Sequence, residues 1–262
     1  MASIPGRKPV RFYERKLVVE IVSNVPPILA AIVTAAVNFR DPEKIPYGWA
    51  SSFIVLWLIG AAVVKILYGY SQDKEKKEAN SYYGELGAVY TIYNVVARYN
   101  YKRVGGIEKE PPTGWFRVTF HRVIFPEGEA KYPEEYEQLL PYAGGVSGDG
   151  GAGRKFSIRS GIVGRTIREK SAFAASRIND NYEEYIHELV HEWAYPEHDA
   201  RALKSDRQSW MAVPIFGSKK RVIGVVYLDS VEREFFTDDV KQLVIDACYG
   251  LTSYIKERYK SS

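Results

Sequence analysis

The chain has little cysteine: Cys248 is the single thiol among 262 residues. One cysteine excludes a disulfide bond within the chain and is typical of a reducing compartment. The sequence also shows no internal repeat. The glycine-rich stretch 143–153 lacks the closing Gly-Lys-Ser/Thr of a phosphate-binding loop. We therefore expect that stretch to be a flexible loop at the mouth of a pocket.

Charge is almost absent from two stretches near the N-terminus. The only charged residue in 17–39 is Glu20, and the only one in 49–70 is Lys65. Each stretch has about the twenty residues that an α-helix needs to cross the hydrocarbon core of a bilayer. The sequence therefore predicts a two-helix membrane hairpin over 17–70. The alternative is a buried helical hairpin within a soluble domain.

The basic residues predict how this hairpin is oriented. Five Lys and Arg residues lie in the tail 1–16, two in the loop 40–47, and three in 74–77. Because an excess of basic residues marks the cytoplasmic side, we expect both termini in the cytoplasm of a bacterial cell and the hairpin in its inner membrane. The net charge of +4 is concentrated beside this hairpin. It favours a lipid partner over nucleic acid.

The rest of the chain combines helical and strand patterns. Apolar residues three and four apart predict a linker helix within 71–104, running from about 80 to 102. Turn signals separate it from a second domain, 105–262. In that domain we predict strands at 115–125 and 171–178, a β-hairpin at 210–229, and helices at 160–170, 182–193 and 237–259. Ser160 and Thr237 are predicted N-caps. The helices 80–102 and 237–259 are predicted to pair in a homodimer or higher oligomer.

Four short motifs follow one another in the second half of the chain. They are Ser160-Gly-Ile-Val-Gly164, Ile178-Asn-Asp180, Trp210-Met-Ala-Val-Pro-Ile215, and Ile223-Gly-Val-Val-Tyr-Leu-Asp-Ser230 with Phe236-Thr-Asp-Asp239. In this order they resemble the GAF domain family. The resemblance implies an α+β fold, with an antiparallel sheet flanked by helices, that senses a small ligand. The chain departs from the family pattern because no cysteine lies where bilin-binding relatives attach a chromophore.

The resemblance also implies where a ligand would bind, namely against the sheet beneath the covering helix and loop. The predicted ligand contacts are Arg159, Arg177, Asp180, Tyr185, Arg207, Trp210 and Tyr227. Arginines would bind phosphates and aromatic rings would stack on a base, so we expect a nucleotide. The leading hypothesis is a membrane-anchored cytoplasmic sensor that signals to its membrane helices or to a partner.

Three other functions stay open. No kinase, cyclase or phosphodiesterase follows the domain, so the membrane helices themselves could be the output of a ligand-gated, membrane-disrupting immune effector. A domain without a ligand could serve as a dimeric interaction module. Finally, His187-Glu-Leu-Val-His191 matches the zinc-peptidase signature, with His198 as a third ligand. We expect a charged surface helix there instead, because Glu192 follows directly and His198 is one residue too far for the three-histidine spacing.

Overall fold

The computed structural model describes residues 18–23, 47–105, 111–126, 132–146, 151–203, 206–217 and 220–258. The chain divides into two compact units, Met1–Asn80 and Ser81–Ser262. The helices are α1 (Tyr47–Arg103), α2 (Gly161–Glu169), α3 (Tyr182–His191), α4 (Glu197–Ala202) and α5 (Asp238–Arg258). The strands are β1 (Phe116–Ile124), β2 (Glu135–Gln138), β3 (Lys155–Ser157), β4 (Phe173–Ser176), β5 (Ser209–Phe216) and β6 (Val222–Ser230).

The first unit is described at 18–23 and in the N-terminal part of α1. The Trp57 indole N–H donates a hydrogen bond of 3.1 Å to the carbonyl oxygen of Val22. Among the residues that the structure describes, no helix has both the length and the apolar character needed to cross a membrane. The predicted membrane hairpin over 17–70 is therefore not supported. The tail 1–16 and most of 17–46 lie outside the described residues.

The second unit contains a six-stranded sheet in the order β3-β2-β1-β6-β5-β4. In this order β1 and β6 lie at the centre of the sheet. Every neighbouring pair of strands is antiparallel. The helices α2 and α3 pack on one face of it. The other face packs against α5 and the C-terminal part of α1. The predicted α+β fold, an antiparallel sheet flanked by helices, is confirmed.

Two residues of the predicted hairpin show why these strands pair as they do. A Cβ atom at Gly224 of β6 would lie 2.3 Å from the ring of Phe120 on β1, so glycine allows the two central strands to approach. Pro214 lies on β5 beyond the last residue that pairs with β4, Ala212. Its missing N–H therefore falls where β5 has one strand neighbour, which is a position that accepts proline.

One face of the sheet carries an apolar core, which we call the apolar face. From β1 it receives Phe116, Val118 and Phe120, which are almost completely buried. The ring of Phe116 stacks on that of Phe235 at a centroid distance of 4.6 Å. Side chains of β5, β6, α1 and α5 complete the core, among them Met211, Ile215, Leu228, Val89, Ile92, Val96, Val240 and Val244.

The buried stripe of α1 differs in part from the predicted one. The apolar spacing predicted a stripe of Tyr83, Leu86, Tyr90, Tyr93 and Ala97, with Val89 and Val96 in adjacent positions. Ala97, Val89 and Val96 are buried, whereas Tyr83 and Tyr90 are exposed. Glu85, Ile92 and Asn100 are buried as well. The amide of Asn100 donates a hydrogen bond to the backbone carbonyl of Phe235, which explains how a polar side chain is accommodated there.

Some elements and caps differ from the predictions. No strand or helix was predicted where β2, β3 and α4 lie. The partners of β2 in the sheet, β1 and β3, are distant from it in the chain, so local sequence does not indicate the strand. The side chain of Ser160 makes no capping hydrogen bond to α2. The Thr237 hydroxyl, predicted to cap α5, is buried with no hydrogen-bond partner among the described residues.

Candidate functional site

Strand β1 alternates between apolar and polar residues, and both kinds are buried. Successive side chains of a strand point to opposite faces of the sheet. On β1, the side chains that belong to the apolar face are Phe116, Val118 and Phe120. Those on the opposite face are Arg117, Thr119 and His121. These three polar residues, which we call the polar row, are only 6%, 0% and 4% exposed. Burying polar groups lowers stability unless partners are provided. A polar row at the centre of a sheet therefore marks a candidate site.

Arg117 at one end of the polar row forms a two-pronged ion pair. Its register partner across β6 is Asp229. The Nε–Oδ1 distance is 2.6 Å and the Nη2–Oδ2 distance is 3.0 Å. Burial alone would lower the pKa of Arg117, but its hydrogen bond to Asp229 and the charge of that carboxylate raise the pKa above the usual value. Arg117 is therefore charged at all physiological pH values.

A second buried arginine approaches the same carboxylate. Arg207 Nη1 lies 3.5 Å from Asp229 Oδ1 and donates a 2.8 Å hydrogen bond to the carbonyl of Gly114. Burial raises the pKa of Asp229, while the two arginines oppose that rise. Two buried guanidinium groups thus share one buried carboxylate, and Asp206, which lies 3.3 Å from Arg207, is exposed to solvent. The buried groups named here therefore carry two positive charges and one negative charge, which gives the site a positive bias.

Tyrosines surround this charged group. The ring of Tyr142 lies 4.1 Å from Cζ of Arg117, a cation–π contact. Tyr227 on β6 is the register partner of Thr119 in the polar row. Burial raises the pKa of Tyr142 and Tyr227, and raises that of Tyr195 to about 12. These phenols are therefore neutral hydrogen-bonding groups near pH 7.

The two glycines of the Gly-Ile-Val-Gly motif hold α2 and the chain around it in place. Gly161 has φ +72°, and a Cβ atom there would lie 2.3 Å from the Tyr195 hydroxyl. A Cβ atom at Gly164 would lie 2.4 Å from the carbonyl oxygen of Ile158. The motif therefore lets α2 begin in close contact with Tyr195 and with the segment that leaves β3.

His121, at the other end of the polar row, is packed among three aromatic rings. The three rings lie roughly at right angles to the imidazole: Tyr136, Tyr227 and Phe156, at centroid distances of 5.3, 5.8 and 5.9 Å. Among the described residues, His121 Nδ1 has no hydrogen-bond partner. Burial, and then the positive charge of Arg154, lowers the pKa of His121 to about 3. The imidazole is neutral at physiological pH.

The structure brings together some of the predicted site residues. Arg177 lies 4.2 Å from the ring centroid of Tyr185, and that ring is 6.3 Å from the ring of Trp210. All three side chains are buried. Arg177 donates hydrogen bonds to the carbonyls of 179–181, so it also fixes the chain before α3. Of the other predicted residues, Arg207 and Tyr227 lie beside Asp229, as described above.

Arg159 and Asp180 lie apart from these groups. Both are exposed. The carboxylate of Asp180 pairs with Arg233, and the backbone N–H of Arg159 donates to the Ser157 hydroxyl at 3.2 Å. Among the described residues, these contacts do not connect Arg159 or Asp180 to the polar row.

Several residues of the site were not predicted from the sequence: Arg117, Thr119, His121, Tyr136, Tyr142, Arg154, Tyr195 and Asp229. A signal for three of them is present, because 116–121 reads Phe-Arg-Val-Thr-Phe-His. Strict alternation of apolar and polar residues indicates a strand with two different faces. It does not show that the polar side is covered, since an exposed strand has the same pattern.

The His-Glu-Leu-Val-His motif lies on α3. The rings of His187 and His191 are 3.9 Å apart, and both side chains are exposed. Glu188 is buried, and its carboxylate accepts a 3.1 Å hydrogen bond from the backbone N–H of Ile178. His198 is exposed and contacts Asp199. In the described part of the chain, no three His, Cys, Asp or Glu residues are grouped to hold a metal ion.

Comparison with known proteins gives likenesses of fold only. No family model matches the chain, and no curated protein matches it. A solved GAF domain is 17% identical, over 52% of this chain and 62% of its own, with a TM-score of 0.36. The GAF domain of an Acinetobacter phosphoenolpyruvate-protein phosphotransferase is 12% identical, over 68% of this chain and 95% of its own, with a TM-score of 0.40.

An enzyme is also among the similar structures. Type II free methionine-R-sulfoxide reductase from Thermoplasma acidophilum is 10% identical, over 63% of this chain and 96% of its own, with a TM-score of 0.39. At these low identities and scores, the likeness concerns the fold and carries no function to this chain. The solved structures that resemble this chain thus include both GAF domains and a reductase of free methionine sulfoxide.

Proposed function

We propose that the second unit is a sensor domain that binds a small polar ligand on the face of its sheet that carries the polar row. The observation behind this proposal is the burial of Arg117, Thr119 and His121 at the centre of the sheet. An apolar strand would pack there at lower cost, because burying polar groups requires compensating hydrogen bonds. Within the protein, Arg117 is paired with Asp229 and the Thr119 hydroxyl donates a 2.7 Å hydrogen bond to the Leu140 carbonyl, whereas His121 Nδ1 has no partner among the described residues. A ligand that binds His121 would explain that unpartnered nitrogen.

The chemistry of the site favours a ligand with both a planar and a charged part, such as a nucleotide. Tyr142, Tyr136 and Phe156 offer ring faces or edges, and Arg117 and Arg207 give the site its positive bias. Aromatic rings stack on bases, and guanidinium groups attract phosphates. That the ligand is a nucleotide is a separate claim from the existence of the site, and it needs its own test.

Calorimetric titration of the full chain with cyclic and linear nucleotides tests the proposal. Tyr227→Phe removes one hydroxyl from the site and should weaken binding roughly tenfold, the effect of one lost hydrogen bond. Tyr132→Phe is the matched control, because Tyr132 is exposed on the segment that precedes β2. Equal binding by the wild type and both variants would contradict a site on this face.

Attachment of 17–70 to a membrane stays a prediction. Support comes from large apolar side chains exposed along α1: Leu56, Ile59, Val63, Ile66 and Leu67. Exposed apolar surface on this scale usually contacts lipid or another protein. Fractionation of cells that express the chain tests the attachment. Ligand-dependent leakage from loaded lipid vesicles would separate a membrane-disrupting effector from a passive anchor.

Pairing with a second copy is likewise proposed. Tyr83 and Tyr90 on α1 and Tyr249 on α5 are exposed aromatic side chains on the two helices predicted to pair. Tyrosines are enriched in protein interfaces because they combine a large apolar ring with a polar end. The molar mass in solution, measured by light scattering, should fall to that of one chain when Tyr83 and Tyr90 are both replaced by Glu. An unchanged mass would show that these residues do not pair.

A further inference from the structure

We infer that the ligand is a small organic oxyanion whose negative group binds between His121 and Arg154. This inference rests on the proposed function and specifies the ligand of the same site. It is carried by an unpartnered buried nitrogen, a cation with spare donors, and a loop that fixes that cation. Together, His121 and Arg154 are called the oxyanion subsite.

The first observation is the state of His121. Its side chain is almost fully buried, and Nδ1 has no hydrogen-bond partner in the described parts of the chain. The three rings around it present carbon edges or faces and give Nδ1 no strong acceptor. A buried polar atom left without a partner destabilises the fold. A ligand oxygen that accepts from Nδ1–H would remove that penalty.

The second observation is Arg154, which flanks the same ring as His121. Arg154 Cζ lies 5.9 Å from the centroid of the Phe156 ring. The centroid of the His121 ring lies 5.9 Å from the same Phe156 centroid. The hydrogen bonds of Arg154 go to the neutral oxygens of Gln138 and Gly151, both at 3.3 Å. Within the described residues, no carboxylate pairs with it. The guanidinium therefore has strong donors to spare for an anion, and it is exposed to entering solutes.

The third observation is that Arg154 and His121 are both neighbours of Gln138, which accepts a hydrogen bond from Arg154 and lies opposite His121 in the sheet. Gly151 has φ +101°, and a Cβ atom there would lie 2.1 Å from Arg154 Nη2 and 2.6 Å from Gln138 Oε1. Gln138 is also the register partner of His121 on the neighbouring strand. One residue thus connects the cation with the imidazole. A cation held in place before binding loses little entropy when an anion arrives.

These features define the chemistry of the ligand. Its negative group accepts hydrogen bonds from the Arg154 guanidinium and from His121 Nδ1–H. The part attached to that group lies against Tyr136, Phe156 and Tyr227. Carboxylates and phosphates share this chemistry. A metal cation does not fit, because Arg154 would repel it.

The test compares pairs of compounds that differ in charge, using calorimetry on the full chain. One pair is AMP and adenosine, the other is benzoate and benzamide, and inorganic phosphate is titrated alone. In at least one pair, the anion should bind roughly tenfold tighter than its uncharged partner, the usual effect of a charge-assisted hydrogen bond. The pair that shows this preference identifies a phosphate or a carboxylate as the natural group.

Variants then locate the preference. Arg154→Gln and His121→Leu should reduce binding of the anion to the level of its uncharged partner. His121→Asn should retain part of the preference, because an amide nitrogen occupies nearly the position of Nδ1. Arg201→Gln is the matched control: it removes an exposed arginine of α4 that pairs with Glu183 and Glu197, and it should leave binding unchanged.

The outcomes separate this inference from the proposed function. If a probe binds the wild type and Arg154→Gln equally well, the oxyanion subsite is wrong and the sensor proposal stands. If no probe binds the wild type, both are contradicted. As an independent readout, the ¹⁵N chemical shift of His121 Nδ1 should move when the anion binds, and it should not move with the uncharged partner.

Discussion

The two faces of the central sheet are built from the same strands and have opposite chemistry. On β1, Phe116 packs into the aromatic core of the apolar face, while the next residue, Arg117, is paired with Asp229 on the other. Both side chains are buried. On the apolar face, burial itself stabilises the fold. The other face also buries apolar side chains beneath α2 and α3, but its buried polar side chains from β1 oppose stability unless they have specific partners. The two faces therefore differ most along β1, in the polar row.

The largest expected effect is on the apolar face. Phe116→Ala should lower the free energy of unfolding by about 4 kcal/mol, because it removes a fully buried ring and leaves a cavity. Phe116 stacks on both Phe235 and Tyr93, so few neighbouring atoms can move to fill the space. Urea unfolding followed by circular dichroism measures the change. A loss below about 1 kcal/mol would show that this face is not the main core.

The next effect breaks the ion pair on the opposite face. Asp229→Ala should lower the free energy of unfolding by about 3 kcal/mol, because it leaves Arg117 buried without its counter-charge. The double variant Arg117→Met, Asp229→Leu is the control. It should recover most of this stability and lose the ligand response, if the charges serve binding. A double variant that unfolds like Asp229→Ala would show that the pair is needed for folding.

The pH dependence of stability sharpens the comparison. The pKa of His121 is about 3 in the folded chain, against 6.5 for a free histidine. The unfolded chain therefore binds a proton between these values that the folded chain does not. Stability should fall as the pH drops below 6.5, by up to about 1.4 kcal/mol per pH unit from this residue. His121→Leu should reduce that slope in urea unfolding between pH 7 and pH 5, and an unchanged slope would contradict the burial of a neutral imidazole.

The smallest effect has the opposite sign to the first. His121→Leu at pH 7 should raise the free energy of unfolding by about 1 kcal/mol, because an apolar side chain replaces a buried nitrogen that lacks a partner. A gain of stability from a substitution in the centre of a sheet is unusual unless the original residue serves binding. Thermal unfolding of the two proteins at one pH measures it. A large loss of stability would mean that Nδ1 has a structural partner.

Sequence patterns predicted the elements whose apolar spacing is regular. The β-hairpin at 210–229, the strand at 115–125 and the helix at 182–193 correspond to β5 and β6, β1, and α3. The strand β2, with the sequence Glu-Tyr-Glu-Gln, has no such spacing, and it forms because β1 and β3 pair with it. Its strand state is a tertiary effect that local sequence does not contain.

The site was harder to predict than the fold. Arg159 and Arg154 lie in the same glycine-rich region, and only Arg154 contacts the ring of Phe156. Which arginine lies against Phe156 depends on the pairing of β3 with β2, and that pairing was not predicted. Tyr142 and Tyr195 come from segments far from β1 in the chain. Side chains that meet through such contacts share no spacing that a sequence pattern could reveal.

The most direct test of the central claim is a crystal structure of the full chain with its tightest-binding small molecule. The account predicts ligand density against the polar row, with an oxygen atom within hydrogen-bond distance of His121 Nδ1. Density at another surface, with Arg117, Thr119 and His121 unchanged and covered, would contradict the claim that this face of the sheet is a binding site.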